Sequence, residues 1–451
     1  MKKTLIKTLF LFIAIWLTPL KNSWSAPQLP ENVLLRDSEI EQGLIDFLTP
    51  IFQIAHLDPS RIKIFLFNSQ EVNAAAGLDY SILVNTGLIT KTQHVGQLLG
   101  VLAHETGHIA GRHNERILAT IRQAQIPALA SLLLSAAASI AAKRPEIMMV
   151  GNAGMDMVEN TVLSYQRTHE ASADQAAFKY FEKLGWPPQG FYEFMKILYQ
   201  QEMLSEQHQF AYKRTHPFMI ERLRLVERHV ESSPNKNKTI NQNYVKKFQR
   251  MKVKIEAFTD FPDKVLQKYA THDQSLVARY ARAIAYHRKS DTEKALKEID
   301  SLLTEYPNDP YFHELKGQIF FETGKLNLAY EAYNKAVYLL PKNGLLKVNL
   351  AHIMIELNSP LYNKEALEIL SSAEKQENES PWFWRLYATA YGRMGQKGMT
   401  TLMLAEEALS SGDVARAHQL AAKAIKELKA ENATARQRAK DIQSTEIPNN
   451  P

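Results

Sequence analysis

The spacing of apolar and polar residues predicts a mixed helix and strand region in the first half of the chain. From Glu39 to Ala55, apolar residues recur every three or four positions, which indicates an amphipathic helix. Residues 62–67 and 81–84 form short apolar runs typical of strands. The turn-prone stretch 73–77 between these runs predicts a hairpin connection.

Two longer helices are expected at residues 93–120 and 158–184, because both segments keep a helical apolar period. A polar segment at 232–243 follows and is typical of a linker. Beyond it the pattern is helical almost to the end of the chain. We expect the residues after Ser444 to be disordered.

The helical part of the sequence contains an internal repeat of 34 residues. Pro307 and Pro341 lie 34 positions apart, and this period is that of tetratricopeptide helix pairs. Small residues in such repeats let paired helices approach closely, and larger ones fill the groove of the next pair. A generic helical bundle is the alternative. Five residues recur with this spacing, namely Ala283, Tyr286, Ala295, Ile299 and Leu302, which match Gly317, Phe320, Ala329, Tyr333 and Ala336.

The first 25 residues have the features of a cleavable secretory signal peptide. Lysines precede an uncharged run of 13 residues from Thr8 to Leu20, which is shorter than the roughly 20 residues that span a membrane. Ser23 and Ser25 follow, in the −3 and −1 positions of a cut before Ala26. An uncleaved anchor, which would make the protein an inner-membrane protein, is the alternative.

Composition narrows the classes of site and partner. The chain of 451 residues is 45% hydrophobic and 23% charged, as folded soluble proteins are. Residues 1–25 hold four of the 54 basic residues and none of the 48 acidic ones, so residues 26–451 carry a formal charge of +2. This balance gives no electrostatic case for nucleic-acid binding. The absence of cysteine excludes disulfides, thiolate zinc ligands and a cysteine nucleophile.

The strongest chemical signal is the motif His104-Glu105-Thr-Gly-His108. Residues four apart share one face of a helix, so both imidazoles can reach the same metal ion. Glu105 then lies beside the open side of the metal, where its carboxylate can take a proton from a zinc-bound water molecule.

A catalytic zinc ion needs a third protein ligand and a vacant position for water. The metzincin pattern requires a histidine six residues after His108, but Asn114 occupies that place and His113 falls one residue short. Glu170 is the better candidate, because Asp174 lies four residues later on the same helical face and could orient a ligand imidazole.

The motif His-Glu-x-x-His, combined with a downstream Glu-x-x-x-Asp, resembles the M48 metallopeptidases. The resemblance implies zinc ligands His104, His108 and Glu170, one Zn²⁺ per chain, Glu105 as general base and Asp174 behind the ligands. The choice of Glu170 over other acidic residues of the same helix comes from this resemblance and not from the spacing.

Two further positions match the family. His216, in Thr-His-Pro, resembles a histidine that lies near the metal in relatives, which implies contact with the zinc or stabilisation of the oxyanion. Arg222 is expected to hold the carboxylates. A surface turn is the alternative for His216, because X-Pro segments favour turns.

Other segments allow simpler interpretations. Residues 126–142 carry no charge, and we expect a buried helix or a lid rather than a contact with lipid. Tyr80 to Asn85 is a candidate edge strand that pairs with an extended substrate, or an ordinary strand of the sheet.

Taken with the resemblance, the expected fold is mainly α: an α+β zincin-like catalytic domain with a small sheet, followed by an all-α tetratricopeptide-repeat solenoid. The expected function is a periplasmic zinc metalloendopeptidase that degrades misfolded proteins and assists outer-membrane beta-barrel assembly. The implied partners are unfolded or misassembled outer-membrane proteins and, through the repeats, the barrel assembly machinery, with possible peripheral membrane contact.

A chaperone or adaptor with a latent protease domain, inhibited by His216 or by residues 117–160, is the alternative function. The expected boundaries are a signal peptide at 1–25, a protease domain at 26–240, a helical connector at 241–270, repeats at 271–430 and a tail at 431–451.

Overall fold

The computed structural model describes residues 33–123, 155–200, 216 and 219–445. The chain divides into two compact units, and the boundary falls between Phe261 and Pro262. The first unit combines a small sheet with helices, and the second consists of helices throughout its described part. The expected mainly α fold with a small sheet is therefore confirmed.

The sheet of the first unit has four strands in the order β1-β2-β4-β3. β2 and β4 are parallel, and the two outer strands are antiparallel to their neighbours. The predicted hairpin between residues 62–67 and 81–84 is therefore wrong, because stretch 73–77 contains a strand of its own. The strands are β1 Val33–Leu35, β2 Lys63–Asn68, β3 Ala74–Ala76 and β4 Ser81–Asn85.

A tight turn joins β3 to β4. Asp79 and Tyr80 both have positive φ angles, of 53° and 62°, and the Ser81 amide donates to the Leu78 carbonyl oxygen at 3.1 Å. Two successive left-handed residues match the right-handed twist of the flanking strands. The turn makes β3 the edge strand and places β4 inside the described sheet, so the expectation that Tyr80–Asn85 forms the edge is wrong.

Helices cover the sheet and enclose the core of the first unit. The predicted helices at 39–55 and 158–184 are confirmed within a few residues, whereas the one at 93–120 is interrupted at Gly111 and Arg112. The helices are α1 Ser38–Ile54, α2 Thr86–Lys91, α3 Val95–Ala110, α4 His113–Gln123, α5 Met155–Leu184, α6 Gln189–Gln200, α7 Met219–Ser232 and α8 Gln242–Thr259.

Helix α3 is the centre of this unit, and every residue from Val95 to Gly107 is buried. Small residues let its neighbours approach closely. A Cβ atom built on Gly100 would lie 2.8 Å from the Cα of Phe191 in α6, and one on Gly107 would lie 2.9 Å from the Cα of Ala173 in α5. Since packed interiors do not accept such overlaps, glycine at both positions fixes the spacing of three helices.

Helix α8 packs onto the core of the first unit through Phe248, Met251 and Ile255. The buried ammonium of Lys254 contacts the Asp37 carboxylate at 2.8 Å and that of Glu39 at 3.4 Å. Asp37 also caps α1 by accepting from two backbone amides. The segment expected to connect the domains thus contributes apolar surface and ion pairs to the first unit.

The second unit is built from helices of similar length that pack against their sequence neighbours. The recurring residues of the 34-residue repeat lie mainly in its core, including Ala283, Ile299, Ala329 and Tyr333. The helices are α9 Pro262–Lys268, α10 Leu276–Arg288, α11 Thr292–Glu305, α12 Pro310–Glu322, α13 Leu326–Leu339, α14 Gly344–Leu357, α15 Pro360–Glu377, α16 Pro381–Arg393, α17 Lys397–Ser410, α18 Val414–Glu427 and α19 Ala433–Gln443.

The turns of this unit repeat with the same period as its sequence. Ser290, Gly324 and Asn358 each end a helix in the left-handed conformation, and they are spaced by 34 residues. Gly395 does the same 37 residues later, after the three-residue insertion near Tyr362. A left-handed residue just past a helix satisfies the last carbonyl groups, so the backbone carries the repeat as clearly as the side chains do.

Helices long and apolar enough to cross a membrane are absent from the described part of the chain. The expected signal peptide at 1–25 and the uncharged run 126–142 lie outside the described residues, as does most of segment 117–160. The predictions made for them stay predictions.

A substitution in the second unit tests its packing. A Cβ atom at Gly317 would lie 2.6 Å from the buried ring of Tyr333. We expect Gly317→Ala to destabilise the α12–α13 pair by about 1–3 kcal/mol. Hydrogen exchange should then accelerate in residues 310–339.

Gly392 provides the matched control, because a Cβ atom there would meet Thr400 at an ordinary 3.7 Å. Gly392→Ala should leave exchange unchanged or slow it, since alanine favours a helix over glycine by about 0.5–1 kcal/mol. Equal effects of the two substitutions would contradict the packing argument.

Candidate active site

Helix α3 brings His104, Glu105 and His108 to one place inside the first unit. His104 and Glu105 are almost completely buried, and His108 exposes a tenth of its side chain. The Nε2 atoms of the two imidazoles lie 3.0 Å apart. One turn of helix therefore directs two nitrogen donors at the same point, as the four-residue spacing predicts.

Helix α5 supplies two carboxylates to the same point. Glu170 Oε2 lies 3.4 Å from His104 Nε2, and Glu170 Oε1 lies 3.3 Å from His108 Nε2. Asp174 contacts the opposite ring nitrogen of His104, Nδ1, at 2.9 Å. Glu170 thus faces the space between the imidazoles, and Asp174 lies behind His104.

Arg222, on α7, joins both carboxylates. Its Nη1 donates to Glu170 at 2.5 Å, and its Nε and Nη2 donate to the two oxygens of Asp174 at 2.8 Å each. Both carboxylates belong to α5, so Arg222 fastens α7 to that helix. All three side chains are buried.

This pairing explains the charge state of the carboxyl groups. Burial raises the pKa of Glu170, but the charges of His216 and Arg222 outweigh it and hold that pKa well below its usual range. Burial also raises the pKa of Asp174, and Arg222 together with His104 lowers it overall. Both groups are therefore carboxylates, which accept protons or metal ions but donate no hydrogen.

The imidazoles respond in opposite directions. Burial lowers the pKa of His104, yet hydrogen bonds to Asp174 and Glu170 more than reverse this and raise it to about 9. For His108, burial outweighs the hydrogen bond to Glu170, and its pKa falls below 6.5. Without a metal ion the cluster thus holds a proton on His104, in a position where a metal cation would replace its charge.

His216 completes the cluster from the segment before α7. Its Nδ1 lies 3.1 Å from Glu170 Oε1 and 3.3 Å from His104 Nε2. Its Nε2 lies 3.4 Å from Glu105 Oε1. The buried imidazole is therefore a core element of the cluster rather than a surface turn.

The donor set fits a metal ion. His104, His108, Glu170 and His216 each offer one ligand atom, and these atoms lie within 4.8 Å of one another. A tetrahedral ion with bonds of about 2.0–2.1 Å needs donors about 3.3 Å apart, and the measured separations above run from 3.0 to 3.4 Å. Imidazole and carboxylate donors without a thiolate are a set that zinc accepts.

Glu105 points away from this donor set, toward the edge strand. Its Oε2 accepts from the backbone amide of Ala76 at 2.8 Å. The carbonyl oxygen of the same residue accepts from the Asn114 side chain at 2.7 Å. Both polar groups of Ala76 therefore face the site side of β3, and the Glu105 carboxylate lies between the edge strand and the cluster.

Several of these contacts were not predicted from the sequence. His113 and Asn114 were considered only as ligands in a metzincin pattern, but neither belongs to the donor set. His113 Nδ1 instead lies 2.9 Å from His108 Nδ1. The position of both side chains depends on the left-handed conformation of Arg112, φ 52°, which the residue type does not indicate.

Comparison with known proteins places this site in a family. Residues 42–230 match the model of peptidase family M48, and this range contains every residue of the cluster. The chain thus carries a peptidase family M48 domain, and its class is that of a peptidase.

Three curated relatives resemble the chain over most of their length. Each is similar to this chain rather than the same protein. The "Beta-barrel assembly-enhancing protease" of Yersinia pestis is 23% identical over 78% of this chain and 72% of its own. Its counterpart from Escherichia coli (strain K12) is 23% identical over 81% of this chain and 74% of its own. A "Putative beta-barrel assembly-enhancing protease" of Vibrio cholerae is 21% identical over 73% and 68%.

The contact between α3 and α5 provides a test of the site. A methyl group at Gly107 would push against the backbone of Ala173, one residue before Asp174. We expect Gly107→Ala to cost about 1–3 kcal/mol of stability and to weaken binding of added Zn²⁺ about tenfold or more. Chelator competition on the folded protein measures the affinity.

Gly100→Ala is the control, because it creates an equally tight contact with Phe191 on α6, which contributes none of the donor atoms. It should lower stability similarly but change Zn²⁺ affinity by no more than about twofold. Unchanged affinity in Gly107→Ala would show that the helix spacing does not set the donor geometry.

Proposed function

We propose that the protein is a zinc metalloendopeptidase in which His104, His108 and Glu170 hold the metal ion. The observation that carries the proposal is the convergence of these three side chains, with donor separations suited to one ion, inside a peptidase family M48 domain. A zinc ion held there supplies a Lewis acid and lowers the pKa of a water molecule near it.

The side chains around the ligands perform the proton chemistry. Glu105 is the general base: it accepts the proton of the attacking water at a carboxylate oxygen and passes it to the nitrogen of the leaving amine. The Ala76 amide, bonded to Glu105 Oε2, orients that carboxylate. His216, 3.4 Å from Glu105, is proposed to donate a hydrogen bond to the oxyanion as it develops.

The remaining carboxylate and the guanidinium act by positioning. Asp174 accepts from His104 Nδ1 and so leaves Nε2 available to the metal ion. Arg222 neutralises Asp174 and holds Glu170 in place. Removal of Arg222 would leave buried carboxylates unpaired, which is costly.

An extended peptide is the proposed form of the substrate. β3 lies at an edge of the described sheet and runs past Glu105. A strand added to such an edge forms backbone hydrogen bonds that do not depend on sequence. Unfolded proteins offer extended segments of this kind, which supports misfolded proteins as the substrate class.

The biological role follows from the relatives. Because similar proteins over most of the chain are beta-barrel assembly-enhancing proteases, we propose that this protein removes misassembled outer-membrane proteins in the periplasm. A cleavable signal at 1–25 would deliver it there. The second unit, proposed to be a tetratricopeptide-repeat solenoid, would bind clients or the assembly machinery through stacked helix pairs.

One observation favours a second candidate function, a chaperone or adaptor with a latent protease domain. His216 offers a fourth donor to the metal position, and four protein ligands are typical of closed structural sites without a place for water. In this case the protein would hold clients without cleaving them until His216 moves away.

The variant Glu105→Gln distinguishes the two functions. Glutamine keeps the volume of the side chain and can still accept from Ala76, but it cannot take a proton. We expect degradation of an unfolded barrel protein to slow by about 10²–10⁴-fold, as followed by gel electrophoresis. Glu115→Gln, at an exposed position of α4, should degrade the substrate normally. Full degradation by Glu105→Gln would contradict the proposed mechanism.

Metal removal tests the cofactor. Treatment with a chelator should abolish degradation, and one equivalent of Zn²⁺ per chain should restore it, because three protein ligands define one position. Metal analysis of Glu105→Gln should still find one zinc ion, since Glu105 is outside the donor set. Undiminished degradation by the metal-free protein would exclude metal-assisted hydrolysis.

A further inference from the structure

The turn after α3 folds a second histidine back onto a metal ligand. Arg112 adopts a left-handed conformation, and His113 then places its Nδ1 2.9 Å from the Nδ1 of His108, with the rings at 86°. Gly111 makes room for this fold, because a Cβ atom there would lie 2.2 Å from His113 Nε2. The backbone of two residues is thus shaped around this one contact.

Hydrogen-bond chemistry gives the contact a direction. Each neutral imidazole has one N–H and one acceptor nitrogen. His108 Nε2 faces His104 Nε2 at 3.0 Å and Glu170 at 3.3 Å, so its lone pair must be available to the metal ion. The hydrogen of His108 is then on Nδ1, and His113 Nδ1 accepts it.

His113 is itself fixed in place. Only 2% of its surface is exposed, and its ring stacks on that of His169 with centroids 4.3 Å apart and planes at 5°. His169 directly precedes Glu170 in α5. His113 therefore links the end of α3 to the part of α5 that carries the third donor.

The two ligand imidazoles have different supports. His104 donates to a carboxylate, that of Asp174, whereas His108 meets a neutral ring. The cluster already contains the carboxylates of Glu105, Glu170 and Asp174 against the single guanidinium of Arg222. A neutral acceptor orients His108 without adding another negative charge to this buried space.

We propose that His113 is a positioning residue that fixes His108 as an Nε2 metal ligand by accepting its Nδ1–H. The inference rests on the proposed function, since it requires His108 to bind the metal. Partners behind a ligand imidazole commonly change metal affinity by about 10–100-fold, so the consequence is measurable without any assay of peptidase activity.

Three full-length variants test the proposal by competition for Zn²⁺ against a chromophoric chelator. His113→Phe keeps a stacking ring but removes the acceptor, and it should weaken Zn²⁺ binding about 10–100-fold. His113→Asn places a carboxamide oxygen near the Nδ1 position and should recover most of the affinity. His352→Phe makes the same change at a histidine of the second unit and should bind as the wild type does.

The outcomes separate the two claims. If the wild type binds Zn²⁺ and His113→Phe binds it equally well, the role of His113 is refuted while the proposed metal site stands. If the wild type binds no Zn²⁺, the proposed function fails and the inference fails with it. Weak binding by both His113→Phe and His113→Asn would also overturn the acceptor role, since the acceptor would then not restore affinity.

A measurement on the unaltered protein applies even if His113→Phe does not fold. Nitrogen NMR of ¹⁵N-imidazole-labelled, zinc-loaded full-length protein reports which ring nitrogen carries hydrogen, and His113→Asn assigns the His113 signals. We expect Nδ1–H on His108 and Nε2–H on His113. Nδ1–H on His113, or metal bound at His108 Nδ1, would refute the proposal.

Discussion

The contact between α3 and α5 at Gly107 and Ala173 is the constraint on which the rest of the site depends. The imidazoles of His104 and His108 belong to one helix and the carboxylates of Glu170 and Asp174 to the other, so the helix spacing sets every distance between them. Glycine permits an approach that a methyl group would prevent. Because close-packed interiors transmit small displacements, a shift of the backbone here would be felt directly at the donor atoms.

Electrostatics makes this arrangement tolerable. Three carboxylates within a buried cluster would ordinarily be expensive. Arg222 neutralises two of them through geometry that a planar guanidinium suits well, with contacts to Glu170 and both oxygens of Asp174. The same residue ties α7 to α5, and His216 lies just before α7, so the pairing that stabilises charge also holds the fourth donor near the site.

Much of this arrangement was predictable, and the exceptions have physical reasons. The spacing of His104, Glu105 and His108 on one helical face indicates their convergence, because the helix period is fixed. Glu170 could not be separated from Glu159 or Asp156 by spacing alone, since the distance between two helices is a tertiary property. The break at Arg112 and the edge position of β3 were missed, because a left-handed residue and strand order depend on contacts distant in sequence.

The second unit shows the opposite case, in which sequence and structure agree through a period rather than through a motif. Left-handed residues at Ser290, Gly324 and Asn358 recur every 34 positions. Glycine and asparagine tolerate this conformation, whereas serine is less suited to it. The repeat is therefore maintained by backbone geometry even where the residue changes.

The account stands or falls on where a metal ion binds. Anomalous diffraction at the zinc edge from crystals of the zinc-loaded protein tests this most directly. We predict one peak about 2.0–2.2 Å from His104 Nε2, His108 Nε2 and a Glu170 oxygen. A chain without a peak at this cluster, or with Glu170 turned away from a zinc ion bound elsewhere, would contradict it.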